Sequence, residues 1–258
     1  MKGMILRFKG GKSKAFTISY DDGCKADERL ISLMKSYNVK GTFNLVGSWQ
    51  VNKDLYTDFE VAAHGFDHCL LDNCHGTILA LQILKDRQKL EKDFDRIIRG
   101  FAYPGGGYSA EAEQMLKSLG ICYSRTTGSS GNFEIPQNWL RWNMTCHHNN
   151  PKLFDFADRF LNETEKGIPN LFSVWGHSYE FDDSDNWNVI EKLFETVANK
   201  SNVWYASCID IYDYCMAYNS LKFSTNGKIV YNPSATEVWF MLDEVLHSVK
   251  PNETIHCR

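Results

Sequence analysis

Strand-like and helix-like segments take turns along most of this chain, and that alternation limits the fold more than any other feature of the sequence. Residues 15–18 are rich in β-formers and read as a buried strand, and 26–37 carries Leu30, Leu33 and Met34 at helical spacing. Strands follow at 40–46 and 59–61. The spacing then predicts a long helix over 77–99, capped by Thr77, with Leu79, Ile83, Leu90, Phe94 and Ile97 on one face. Beyond it come a strand at 101–103, a helix capped by Ser109 and stopped at Gly120, a strand at 121–124 and a helix over 152–161. A strand at 170–175, a helix over 187–199, a strand at 203–206 and a helix over 210–219 complete the series. Consecutive strands joined through helices pair in parallel, so the chain is expected to be α/β, with its functional residues at the carboxyl ends of the strands.

After Leu221 the texture changes. Residues 221–224 and 228–231 flank Thr225-Asn226-Gly227, a hairpin signal. Residues 238–241 and 254–256 read as two more strands, and the appendage is placed to pair with an N-terminal strand over 4–8. The expected organisation is a barrel over 1–220 and a small β-rich extension over 221–258 packed on it. No chemistry is visible in the extension, where His247 and His256 read as structural or solvent-exposed.

The first strand runs into Ser19-Tyr20-Asp21-Asp22-Gly23. Adjacent carboxylates repel, so a strand end gains no stability from them, and successive side chains of an extended segment point to opposite sides. One carboxylate can face a metal while the other faces substrate or water; a solvated Asp-Asp-Gly turn is the plainer alternative. A second stretch, Ala62-Ala63-His64-Gly65-Phe66-Asp67-His68, follows the strand at 59–61. Histidines four apart on a helical turn bring both rings to one ion. With one carboxylate they make a two-histidine, one-carboxylate site with open positions, as in hydrolytic zinc and several iron enzymes. Two surface histidines are the alternative.

These stretches resemble the signatures of the polysaccharide deacetylases, carbohydrate esterase family four with the NodB-homology fold. Residues Thr17-Ile18-Ser19-Tyr20-Asp21-Asp22-Gly23 look like the first signature and His64-Gly65-Phe66-Asp67-His68 like the second. Phe101-Ala102-Tyr103-Pro104-Gly105-Gly106 is similar to the third, and Val174-Trp175-Gly176-His177 to the fifth. The matches keep the family's order over about residues 15 to 215. The resemblance implies an irregular (β/α) barrel of about seven parallel strands. It further implies one divalent metal ion held by Asp22, His64 and His68, with zinc favoured over cobalt, nickel or manganese. Asp21 becomes the general base, His177 the general acid, and the Gly105 N–H an oxyanion contact. Tyr103, Trp175 and Trp142 are the candidate substrate-binding rings.

The departures from the family pattern are specific. The third signature usually supplies an arginine that holds the base carboxylate, and Ala102 stands in its place; Arg125 or Arg141 is the candidate substitute. The fourth signature usually supplies an aspartate that orients the catalytic histidine, and no aspartate occurs between Ile97 and Phe154. Trp139, Trp142, His147 and His148 occupy that region instead.

Composition narrows the partners. A net charge of −4 gives no reason to expect nucleic acid or an anionic membrane surface. No apolar run is long enough to span a bilayer, and residues 1–8 are too short and broken for a signal sequence, which points to a cytoplasmic protein. The eight cysteines form no Cys-x-x-Cys pair, so a cysteine zinc site is not expected. The resulting expectation is a metal-dependent carbohydrate deacetylase acting on N-acetyl groups of amino sugars. O-acetyl ester cleavage, hydrolysis of small cyclic amides and an inactive carbohydrate-binding barrel are the alternatives.

Overall fold

The structure, a computed structural model, describes residues 4–163 and 167–257; the outermost residues of the two expected units, 1–3 and 258, lie outside the described part. In chain order its strands and α-helices are β1 (Ile5–Arg7), β2 (Lys14–Asp22), α1 (Asp27–Ser36), β3 (Gly41–Leu45), β4 (Glu60–Ala63), α2 (Gly76–Phe94), β5 (Gly100–Ala102), α3 (Ala110–Ser118), β6 (Tyr123–Ser129), β7 (Trp142–Met144), β8 (Cys146–His147), α4 (Leu153–Asn162), β9 (Asn170–Gly176), α5 (Tyr179–Asp183), α6 (Asn188–Val197), β10 (Val203–Tyr205) and α7 (Cys208–Ser220). Five short strands complete the chain: β11 (Lys222–Phe223), β12 (Ile229–Tyr231), β13 (Val238–Leu242), β14 (Val245–Val249) and β15 (Thr254–His256).

Strands β2 to β9 make one parallel sheet in the order β7-β6-β5-β4-β3-β2-β9-β8, with β10 added to the start of β2. It is a nearly closed barrel, as expected, but its path holds eight strands rather than about seven. The extra one arises because residues 142–147 divide at Thr145. Upstream, β7 pairs with β6; downstream, β8 pairs with β9. At the division Gly131 N–H donates to the Thr145 carbonyl, and Thr145 N–H donates to Ser173 Oγ, so one segment bridges both sides of the seam.

Alternation along β2 sorts its side chains. Phe16, Ile18 and Tyr20 face the helices and join a core with Leu30, Met34, Leu79, Ile83, Leu116, Phe160 and Phe194. Burial of each such side chain contributes about 1.5–3 kcal/mol. Thr17, Ser19 and Asp21 face the barrel interior, which is polar. Thr42 Oγ1 and Tyr123 Oη both donate to the Glu60 carboxylate, which in turn accepts the Ile209 N–H, while Thr42 Oγ1 accepts the Cys208 N–H. The N-terminus of α7 thereby stoppers the amino-end of the barrel.

Three expectations are corrected. Helix α2 stops at Phe94, where Asp95 turns left-handed (φ 49°); Thr77 is not its cap, since His75 holds that position without a side-chain bond. The apolar spacing had carried the prediction on to Ile97, which is 72% exposed. Beyond the helix Arg96 is tied to the Phe59 carbonyl, and Ile98 N–H to Glu91. The His64–His68 stretch is a tight turn with Gly65 at φ 80° and His68 at φ 56°, not a helical turn. Strands β7, β8 and β14 are unseen in the sequence; β14 pairs with β13, and β1 pairs with the other edge of β13 as anticipated. Tyr214 of α7 anchors these strands by donating to the Arg7 carbonyl and accepting from Trp239 N–H.

Candidate metal centre and active site

The carboxyl ends of β2, β4, β6 and β9 bring the predicted side chains to one mouth of the barrel. Asp21 ends the inward row of β2. Asp22, the next residue, takes φ 80°, a conformation rare for a residue with a side chain, and this swings its carboxylate toward the histidine turn. Leu45 and Val51 close on the Cα of Gly23 (φ 74°), so a side chain there would collide.

His64 donates Nδ1–H to the Ala102 carbonyl at 2.7 Å, which fixes the tautomer and leaves Nε2 free. That nitrogen lies 3.5 Å from Asp22 Oδ1, and His68 Nε2 lies 3.4 Å from the same oxygen. The three donor atoms fall within 4.8 Å of one another. Asp22 Oδ1 is buried and accepts no hydrogen bond. A buried carboxylate oxygen without a donor, facing two imidazole nitrogens, suits a divalent cation. Burial pulls the His64 ring below the usual histidine range, keeping it in the neutral, ligating form. The backbone of this turn is held from behind: Asp86, in the middle of α2, accepts the His64 N–H at 2.8 Å, and burial pushes its carboxyl up to about 8.

Asp21 is buried and fully partnered. Asn44 Nδ2 donates to Oδ1 at 2.8 Å, and the Arg125 guanidinium donates to Oδ2. Burial alone would raise its pKa, but Arg125, His64 and His177 together hold it below the ordinary aspartate value. Arg125 therefore provides from β6 the charge absent at Ala102. Its guanidinium also lies 4.5 Å over the Trp175 ring and donates to the Thr126 carbonyl. Arg141, the other candidate, is at the surface, paired with Glu113.

His177 follows β9, with Nε2 3.8 Å from Asp21 Oδ2 and Nδ1 3.3 Å from Glu180 Oε1. Burial pulls its pKa down, but Glu180, Asp21 and Asp22 outweigh burial and raise it above the usual histidine value. Glu180 is a hub: His147 Nε2 and His148 Nε2 approach its other oxygen at 3.1 and 3.0 Å. Desolvation notwithstanding, the three rings lower its pKa strongly. Tyr20 Oη lies 3.1 Å from His148 Nδ1, and the His148 ring stacks on Phe181. His147, His177 and Glu180 also fall within ligating distance of each other.

The remaining predicted residues divide. Trp175 lies between Arg125 and His147, and its buried indole N–H has no partner. Gly105 sits in the turn after β5 at φ 56°, with Leu70 occupying the space a side chain would take. Tyr103 and Trp142 do not present a face to a ligand. Tyr103 is 0% exposed and donates to the Leu140 carbonyl; Trp142 is 1% exposed against Tyr123 and Trp139. Large rings supplied core packing at these two positions. The exposed aromatics at the mouth are instead Trp49, 45% exposed and packed on His68, and Tyr179, 38% exposed and packed on His177. Sequence reasoning missed both, and missed Asn44, Asp86 and Glu180. Glu180 alone carried a signal, standing three residues after His177. A cavity of about 400 Å³ at the opposite end of the barrel, lined by Lys40, Asp58, Arg96, Arg99, Tyr205 and Asp210, contains none of the site residues.

Fold and site together define an α/β barrel with an acidic, histidine-lined mouth. Residues 9–124 match the polysaccharide deacetylase family model. No curated protein matches the chain. Among solved structures, a Mycobacterium smegmatis protein assigned to the polysaccharide deacetylases shares the fold at TM-score 0.62 and 13% identity, over 83% of this chain and 94% of that one. The allantoinase Puue shares it at TM-score 0.61 and 13% identity, over 80% and 91%. The Streptococcus pyogenes deacetylase PplD, solved with acetate, matches at TM-score 0.45 and 17% identity over 48% of this chain, which spans 61% of its length. At 13% identity the Mycobacterium smegmatis and Puue structures show the barrel fold and nothing finer.

Proposed function

We propose that the protein is a metal-dependent carbohydrate deacetylase that hydrolyses N-acetyl groups of amino sugars. The observation that carries the reading is the convergence on one barrel mouth of an unpartnered Asp22 with two histidine nitrogens, flanked by Asp21 on Arg125 and by His177 on Glu180. Asp22, His64 and His68 would hold one divalent ion, with zinc favoured by the nitrogen and oxygen donor set over cobalt, nickel or manganese. Bound there, such an ion supplies a Lewis acid that acidifies water and polarises an acyl oxygen.

The protein's own groups complete the reaction. Asp21 is held ionised and cannot rotate, since Asn44 grips one oxygen and Arg125 the other. It takes the proton of the attacking water as oxygen bonds to the acyl carbon. The Gly105 N–H is the oxyanion donor in this reading. His177, kept protonated by Glu180, donates Nε2–H to the nitrogen as the C–N bond breaks, releasing acetate and free amine. An amine leaves only when protonated, so an acid at the His177 position is needed more for amide than for ester cleavage. Trp49 and Tyr179 flank the mouth as flat apolar faces suited to sugar rings.

The test is acetate release from N-acetylglucosamine oligomers, acetylated xylan and an aryl acetate, using chelator-stripped protein with and without added divalent metal. Metal-dependent release from the amino-sugar oligomers is expected. Release from the esters alone makes the protein an esterase. No acetate from any substrate, with one ion bound per chain, excludes a deacetylase.

A further inference from the structure

We propose that Cys69 and Cys74 form a redox couple whose disulfide fastens the loop carrying His68. Their sulfurs lie 3.0 Å apart, against about 2.05 Å for a disulfide bond, so closure needs only about 1 Å of movement. No other pair of cysteines among the described residues makes a sulfur–sulfur contact.

The approach follows from the shape of the loop. After His68 the chain passes Cys69 and folds into a short turn over Leu71–Asn73, in which Asn73 N–H donates to the Leu70 carbonyl and Cys74 N–H to that of Leu71. Leu71 is fully buried and pins the turn to the core. On its outer side, Leu70 fills the space above Gly105, and the Asp72 carboxylate abuts Gly107. The loop thus links a candidate metal ligand, the turn after β5 and the start of α2. A cross-link between residues 69 and 74 closes the short ring that leaves His68 at its edge.

The two thiols differ in access. Cys69 is half-buried and open to a small oxidant; Cys74 is buried behind it. With glutathione disulfide as oxidant, the Cys69 sulfur attacks one glutathione sulfur and expels the first glutathione thiol. The Cys74 sulfur then attacks Cys69 and expels the second. The oxidant's S–S bond and two protein S–H bonds break; one protein S–S bond and two glutathione S–H bonds form. The protein loses two hydrogens and the oxidant gains them.

The experiment treats the chelator-stripped full chain with glutathione disulfide and maps the peptides without reduction. The expected product is an intramolecular Cys69–Cys74 link, formed while the other six cysteines can still be alkylated. The C74S variant is expected to stop at a glutathione adduct on Cys69, and C69S to take up far less glutathione. Oxidised wild-type protein should melt about 4–8 °C higher than reduced protein. Its backbone amides over 66–74 should exchange more slowly, and zinc loaded before oxidation should leave to a chelator more slowly. A first disulfide elsewhere, wild-type protein that stops at mixed adducts, or a Cys69–Cys74 link that leaves amide exchange over the loop unchanged would overturn the proposal. None of these readouts depends on acetate release, so the couple stands or falls apart from the deacetylase assignment.

Discussion

Arg125 offers the sharpest test of how the site is held together. Its side chain is fully buried and its guanidinium pairs with Asp21, whose carboxylate is almost as buried. Replacing it by Met keeps much of the volume but strands a charged carboxylate in the barrel. Removing one partner of a buried pair costs about 3–5 kcal/mol. Loss of the guanidinium stacked on Trp175 adds about 0.5–2 kcal/mol. For a chain of this size each 1 kcal/mol lowers the melting point by about 2–4 °C, so Arg125→Met, at about 3.5–7 kcal/mol in all, should melt roughly 7–28 °C lower. The second mutation discriminates. In Arg125→Met with Asp21→Asn the carboxylate is gone, and Asn44 can still bond the amide that replaces it. Most of the loss should then return, leaving a deficit of about 0.5–2 kcal/mol from the missing stack. Urea unfolding of the four proteins, metal-free and at one pH, gives the coupling energy directly. A double variant no more stable than Arg125→Met alone would show that the ion pair does not secure this part of the barrel.

Three further outcomes are expected. Glu180→Gln removes the carboxylate that outweighs burial at His177; the ring then loses its proton at lower pH, so the alkaline limb of kcat/KM moves down and activity falls about 10–100-fold, whereas a purely structural role leaves the limb in place. Asp22→Asn neutralises a buried oxygen that has no hydrogen-bond donor: it should abolish zinc binding by calorimetry while leaving the metal-free protein at least as heat-stable, and a lower melting point would show that Asp22 braces the fold. Trp49→Ala should raise KM for an oligosaccharide up to about tenfold with kcat little changed, and an unchanged KM would remove Trp49 from the binding surface.

The sequence made the candidate metal ligands legible because their types and spacing are chemical requirements. Asp22, His64 and His68 meet in space as their spacing suggested, although the histidines do so on a left-handed turn rather than a helical one. Arg125 was legible only through an absence, the alanine at 102. Glu180 stands only three residues after His177, but the family pattern points upstream, to an aspartate. Aromatic residues were the poorest guide. Trp142 and Tyr103 pack, while Trp49 and Tyr179 are exposed, and nothing in a ring's identity separates the two uses. The β14 strand was hidden because Val245 and Leu246 are both exposed, so no alternation marks it. Strands β7 and β8 were hidden because they are short and depend on where one segment changes partner, at Thr145, a matter of the barrel's closure rather than of local sequence.

The helix that stoppers the barrel has a kinetic consequence. The N-terminus of α7 is bonded to Glu60 and Thr42 across the amino end of the barrel, and in the deacetylase reading substrate enters and products leave at the carboxyl-end mouth. In that reading, acetate cut from a large substrate at the mouth is released beneath the piece that still covers it. Departure is then ordered: the bulky product has to lift away before the small one escapes. A small product added in excess should therefore bind the empty enzyme and compete with substrate, and turnover should slow as the bulky product grows in length.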